Sequence, residues 1–337
     1  MGRFEDRLLD TLLREHGHKL TVAQPPAATS AEPGVRQRHW GRWVAAAGTV
    51  AAVTAGVVVV QTVPFGDRPA VSSAAAEVLT TAADRIGASD AVVGPGQYLY
   101  VESHRWDTVT RDSGDKVLIY LRESVTQTWI PHDRSQEWLQ RERGTGQRKW
   151  IQGSDADLPG GAPGDGKTEE SRAKCGDFHP EGGMKPCERK GTWQEPTPEF
   201  VAALPADPRK LYDELREAMA DEGAGADAGI LDFVQDSISR GLMPAQLRAN
   251  LYRALALLPS LQVSDRNANL DGRTGVALGI ETGGRKRELI IDPATGQFIG
   301  ERETTTQGYG AVVPGTVTGF TALSTGVAAE MGEQPRR

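Results

Sequence analysis

The chain has 337 residues, of which 38% are hydrophobic and 25% charged, and it carries a net charge of −7 with only two cysteines. That composition is ordinary for a globular protein and excludes a chain too polar to bury a core. The acidic balance, without any long basic run, also excludes nucleic acid as the natural partner.

At the N-terminus, Phe4, Leu8, Leu9, Leu12 and Leu13 recur at three- and four-residue spacing, which predicts an amphipathic helix over residues 4–15. Gln24-Pro-Pro-Ala-Ala-Thr-Ser-Ala-Glu-Pro-Gly34 follows with linker composition. Residues 43–63, Trp43 to Val63, then run without a charge. At 1.5 Å per helical residue that stretch spans a hydrocarbon core of about 30 Å, so it reads as one transmembrane helix. Arg36, Arg38 and Arg42 flank its start, with Trp40 and Trp43 at headgroup level. Basic flanks stay inside, which places residues 1–42 in the cytoplasm and residues 64–337 outside. The competing reading is a cleaved signal ending at Ala74-Ala75-Ala76, but the apolar run exceeds an ordinary signal core and the site lies far beyond it. Both readings export the large domain.

Beyond the span, Val78, Leu79, Ala82, Ala83 and Ile86 predict a helix over 74–86, packed on a sheet. Gly94-Pro-Gly96 breaks the chain, and β-like runs follow over 97–106, 116–130 and 136–143 as an antiparallel meander rich in Tyr98, Tyr100, Trp106, Trp129 and Trp138. Residues 152–192 turn Gly-, Pro- and charge-rich, as a long surface loop does. Both cysteines lie in it. In an oxidising compartment Cys175 and Cys187 are expected to pair, closing a loop for about 3 kcal/mol in the chain-entropy model. A metal site of Cys175, His179 and Cys187 lacks a fourth ligand and the usual spacing, and free thiols are the remaining alternative. Gly161-Ala-Pro-Gly-Asp-Gly166-Lys167-Thr168 matches a P-loop pattern, but neither flank has the apolar content of the strand and helix that phosphate binding needs.

Asp207-Pro208 is a cap and first-turn signature for a helix carrying Leu211, Leu215 and Met219. Ile230, Leu231, Phe233, Val234 and Ile238 predict a second helix, and Leu247, Leu251, Leu255 and Leu258 a third starting at Pro244. Runs at 261–264, 275–281, 287–292, 297–303 and 316–327 then form a second meander, so the fold class is α+β. Asn267, Asn269, Asp271 and Gly272 fit positions of a calcium loop, yet position 12 is Leu278, so a strand-connecting turn with Asx hydrogen bonds is the expectation. No catalytic motif occurs, His104, His132 and His179 lie in separate segments, and no cofactor or metal is implied. A non-enzyme is therefore expected, with an exported hydrolase as an alternative.

Gln97-Tyr-Leu-Tyr-Val101, Leu204-Pro-Ala-Asp-Pro208, Leu247 to Pro259, Asp271-Gly-Arg-Thr-Gly-Val276 and Leu289-Ile-Ile-Asp-Pro-Ala-Thr-Gly296 together resemble an uncharacterised actinobacterial family of single-pass membrane proteins often encoded beside sigma factors. The resemblance covers residues 1–330, leaving 331–337 as a tail. It implies signalling across the membrane, with residues 4–15 as the arm toward a sigma factor and no catalytic residues. Residues 1–42 contain no cysteine, unlike a zinc-binding anti-sigma domain. The order of strands, helices and strands is also similar to the lipoprotein-localisation half-barrel, a curved sheet around helices, which implies a lipid or lipoprotein as the alternative ligand.

Overall fold

The computed structural model describes residues 73–86, 90, 92–114, 116–158, 166–180 and 185–336, all within one compact unit. The expected helix at 4–15, the linker and the apolar span at 43–63 lie outside them. Among the described residues, no helix is long and apolar enough to cross a membrane.

Helix α1 (Ser73–Ile86) comes first. Strands β1 (Tyr98–Ser113), β2 (Lys116–Pro131), β3 (Glu137–Gln152) and β4 (Thr168–Lys174) follow as an antiparallel meander. Four helices come next: α2 (Pro198–Ala203), α3 (Pro208–Ala218), α4 (Ala226–Ser239) and α5 (Ala245–Leu255). The second meander is β5 (Gln262–Leu270), β6 (Arg273–Thr282), β7 (Arg285–Ile291), β8 (Phe298–Thr305) and β9 (Val317–Ala328). The architecture is α+β, as the element order predicts. The two meanders are halves of one nine-stranded antiparallel sheet in the order β4-β3-β2-β1-β9-β8-β7-β6-β5. The seam is the β1–β9 ladder, from Tyr98 opposite Ala328 to Asp107 opposite Gly319.

Several expected boundaries move, each for a local reason. Strand β3 continues past Arg143, where the expected run ends, because the Gly144-Thr-Gly146 segment sits at a bulge between the Arg122–Arg148 and Ser124–Gly144 pairs. Strand β4 lies inside the stretch read as a continuous loop. It is an edge strand with nearly all side chains exposed, so it carries no alternating apolar signal. Helix α2 has a legible start, since the Thr197 side chain accepts from the Phe200 amide and Pro198 opens the first turn. The Asp207 cap of α3, which accepts from the Lys210 amide at 2.9 Å, is the predicted one.

The helices cover one face of the sheet, the inner face. Beneath them Val101, Ile130, Leu278, Leu289, Ile291, Phe298 and Leu323 meet Leu211, Leu215, Ile230, Leu231, Val234, Leu251 and Leu255 in one apolar core. Each such side chain contributes roughly 1.5–3 kcal/mol by leaving water. Helix α1, expected against the sheet, packs chiefly on α5, and Arg253 bonds Asp84 at 2.7 Å between them. Asp90 caps α5 in turn, accepting from the Ala245 amide at 2.5 Å and pairing with Arg248 at 2.8 Å. The turn between β7 and β8 docks on α1 through Gly296. Its φ is +75°, and a Cβ there would overlap the Ala82 carbonyl oxygen, so glycine is required by conformation and by space.

Tyr252 of α5 is fully buried and its hydroxyl has no hydrogen-bond partner. Burial pushes the phenol far above its ordinary pKa, so it stays neutral. A polar group desolvated without compensation is a net cost. Tyr252→Phe is therefore expected to raise stability by about 1 kcal/mol, read as a higher urea midpoint with unchanged slope.

Candidate functional site

Where α4 crosses the inner face, the apolar core gives way to charge. Asp232 and Asp236 stand one helical turn apart and face β7, β8 and β1. Arg287 of β7 bonds Asp232 at 2.6 Å and lies 3.8 Å from Glu303 of β8. Arg285 is 3.7 Å from the same Glu303 oxygen, and the other Glu303 oxygen accepts from the Thr318 hydroxyl at 2.9 Å. Glu301, two residues earlier on the same face, interacts with Asp236, with Arg105 and Asp107 of β1 and with the Thr321 hydroxyl of β9. Arg105 and Asp107 are exposed, so the cluster opens to solvent at β1.

Burial pushes Asp232 up to about 7, against the pull of Arg287 and with the help of Asp236, Glu301 and Glu303. It pushes Asp236 up to about 6, against Arg240 and Arg105. Glu301 rises to about 7 through burial first and Asp236 next, opposed by Arg105 and Thr321. The three carboxyls titrate as a coupled set that holds protons near neutral pH.

The sign of the linkage follows directly. A carboxyl whose folded pKa is raised stabilises the fold fully below its unfolded pKa, and that contribution is lost as pH rises through the folded value. Glu301→Gln is expected to stabilise the domain by about 1–2 kcal/mol at pH 8, after discounting for solvent screening, and to change little at pH 4. Melting temperatures at the two pH values check this.

The outer face carries two further polar groupings. His104 of β1 lies between two carboxylates, with Nδ1 2.9 Å from Asp271 in the β5–β6 turn and Nε2 2.6 Å from Glu123 of β2. Burial alone would lower its pKa, but the bonds to Asp271 and Glu123 outweigh that and hold it above the ordinary histidine value. Glu288 of β7, fully buried, accepts from Arg302 of β8 at 2.6 Å and from Ser264 of β5 at 2.6 Å, with Lys286 at 3.3 Å.

Cys175 and Cys187 are joined in a disulfide with their Cα atoms 5.4 Å apart. His179 takes no part in it. Of the P-loop match, residues 161–165 lie outside the described residues, and Lys167-Thr168 run into edge strand β4, with no helix N-terminus following. The calcium-like stretch is strand β5 and its turn, closed by Asx bonds from the Asn267 amide to Asp265 at 2.9 Å and from the Gly272 amide to Asn269 at 3.2 Å. His132 bonds the Val93 carbonyl oxygen at 2.7 Å. Among the described residues, no three His, Cys, Asp or Glu side chains are grouped to hold a metal ion.

The inner-face cluster is what sequence reasoning missed. A signal for it exists, since Asp232 and Asp236 recur at i, i+4 spacing within the apolar pattern of Ile230, Leu231, Phe233, Val234 and Ile238. Comparison of the chain with protein-family models, with curated proteins and with solved structures found no match.

Proposed function

We propose that this chain is a single-pass membrane protein whose exported α+β domain binds a ligand or partner without catalysis and reports through residues 1–42 to a cytoplasmic protein. The family resemblance supplies a sigma factor as that protein. The observation that carries the reading is the Cys175–Cys187 bond. A disulfide on an exposed segment persists outside the reducing cytosol, the side to which the arginines before residue 43 assign this domain.

The sheet is read as a half-barrel that curls around its helices. In support of this, the β5–β6 turn reaches His104 although β6 lies four strands from β1 in the sheet. The site proposed for the ligand is the charged inner-face cluster, which favours a polar, cation-bearing partner over an acyl chain. The apolar part of that face is filled by Leu278, Leu289, Ile291 and Phe298.

The test is topology with redox state. Reporters that work only inside or only outside the cytosol are fused after Arg337, and cysteines are alkylated in intact cells without reductant. Activity of the outside reporter with both cysteines protected is expected. Activity of the inside reporter, or alkylation of both thiols, overturns the reading. Retention of a sigma factor by immobilised residues 1–42 tests the inward arm separately.

A further inference from the structure

The β5–β6 turn belongs to one end of the sheet but rests on the outer face of its middle strands, β8, β9 and β1. Leu270, at the end of β5, is buried among Ile299, Ala322 and Phe320. Arg273, at the start of β6, donates to the carbonyl oxygens of Ile299 at 2.9 Å and Leu323 at 2.5 Å. Between them Asp271, with φ +52°, reaches His104. We propose that this turn is a proton-operated latch, held on β1 while His104 carries both ring protons and let go when one is lost.

The groups that face the imidazole make the case. From β2 comes Glu123, which also accepts from the Thr145 hydroxyl of β3. From the turn comes Asp271, with Arg273 beside it committed to the two backbone carbonyls. From β1 itself, Glu102 is bonded by Tyr100 and Gln127. From β3, the Lys149 ammonium sits 3.9 Å above the Trp106 ring. From β9 the residue opposite is Ala322, which is uncharged.

Two carboxylates at hydrogen-bonding distance from the two ring nitrogens require two N–H donors, and only the imidazolium supplies both. After deprotonation one carboxylate faces a ring lone pair. Glu123 is 12% exposed and held by a second donor, whereas Asp271 is 45% exposed and sits on a turn, so the turn yields. The raised pKa of His104 puts this event on the alkaline side of its ordinary value. Arg273 and Leu270 anchor the two strand ends, which confines the movement to the turn. The latch does not depend on the binding role proposed above.

The test is exchange of the Gly272 amide, which donates to Asn269 at 3.2 Å within the turn, in the purified full chain at pH 5.5 and pH 8.5, corrected for intrinsic exchange rates. Protection is expected to fall about tenfold at the higher pH, the loss of one charge-assisted bond. In Asp271→Asn, where asparagine suits the positive φ equally well, the pH dependence is expected to vanish while the fold persists. A second readout is an NMR titration of His104, whose midpoint should drop toward the ordinary value in that variant. Equal protection at both pH values in the parent chain, or an undiminished fall in Asp271→Asn, overturns the proposal.

Discussion

Replacing Arg302 with methionine is expected to destabilise the domain by about 3–5 kcal/mol, the cost of leaving a buried carboxylate without its cation. Glu288 is wholly inaccessible to solvent, and Arg302 is its 2.6 Å partner. Ser264 at 2.6 Å and Lys286 at 3.3 Å remain in the variant, but a neutral hydroxyl and a longer contact do not replace a direct ion pair. The control is Glu288→Leu with Arg302→Met. Removing both charges leaves no unpaired ion, so most of the stability should return. Urea unfolding of the two variants decides between a general packing defect and an uncompensated charge, since only the latter is repaired by the second change.

The same pair shapes the acid limb of stability. Burial would raise the Glu288 pKa, yet the Arg302 and Ser264 bonds and the Arg302 and Lys286 charges outweigh it and hold it below the ordinary value. A depressed carboxyl contributes stability above its unfolded pKa, and that contribution is lost as pH falls through the folded one. The raised Asp232, Asp236 and Glu301 work in the opposite direction, losing their contribution as pH rises through about 6 to 7. The stability maximum is therefore expected on the acid side of neutrality.

Trp129→Ala is expected to cost a further large amount, about 3–5 kcal/mol. Its ring is completely buried on the outer face, 5.3 Å from the Tyr100 ring in an edge contact and 4.9 Å beneath the Arg141 guanidinium. Its Nε1 donates to the Glu333 carbonyl oxygen at 2.6 Å, which fastens the segment after β9 across this face. Trp129→Phe separates the two contributions. It keeps most of the apolar contact and loses the donor, and because Glu333 is exposed, water can satisfy the released carbonyl. A cost of about 1–2 kcal/mol is expected for phenylalanine, measured as a shift in urea midpoint.

Local features of the chain were readable wherever a few neighbouring residues carry the physics. The Asp207-Pro208 cap and the apolar spacing of α3 to α5 each specify a backbone shape within about ten residues, and each helix stands where its pattern placed it. The pairing of Cys175 with Cys187 was equally open to reading, because the chain offers only one pair. Strand β4 was hidden because an edge strand with both faces in water has no alternation to display, and the continuation of β3 past Arg143 because a bulge puts glycines inside the strand.

The rest is long-range. The β1–β9 seam joins residues more than 200 positions apart, and the charged site gathers Arg105, Asp232, Asp236, Arg287 and Glu301 from four elements. His104 and Asp271 were visible separately, as a lone histidine and a turn residue, and became partners only in the tertiary structure. Periodicity and turn chemistry are short-range properties of the backbone and its neighbours. Which carboxylate loses its water, and which cation comes to face it, depends on how whole layers pack, and that information is spread over the entire domain.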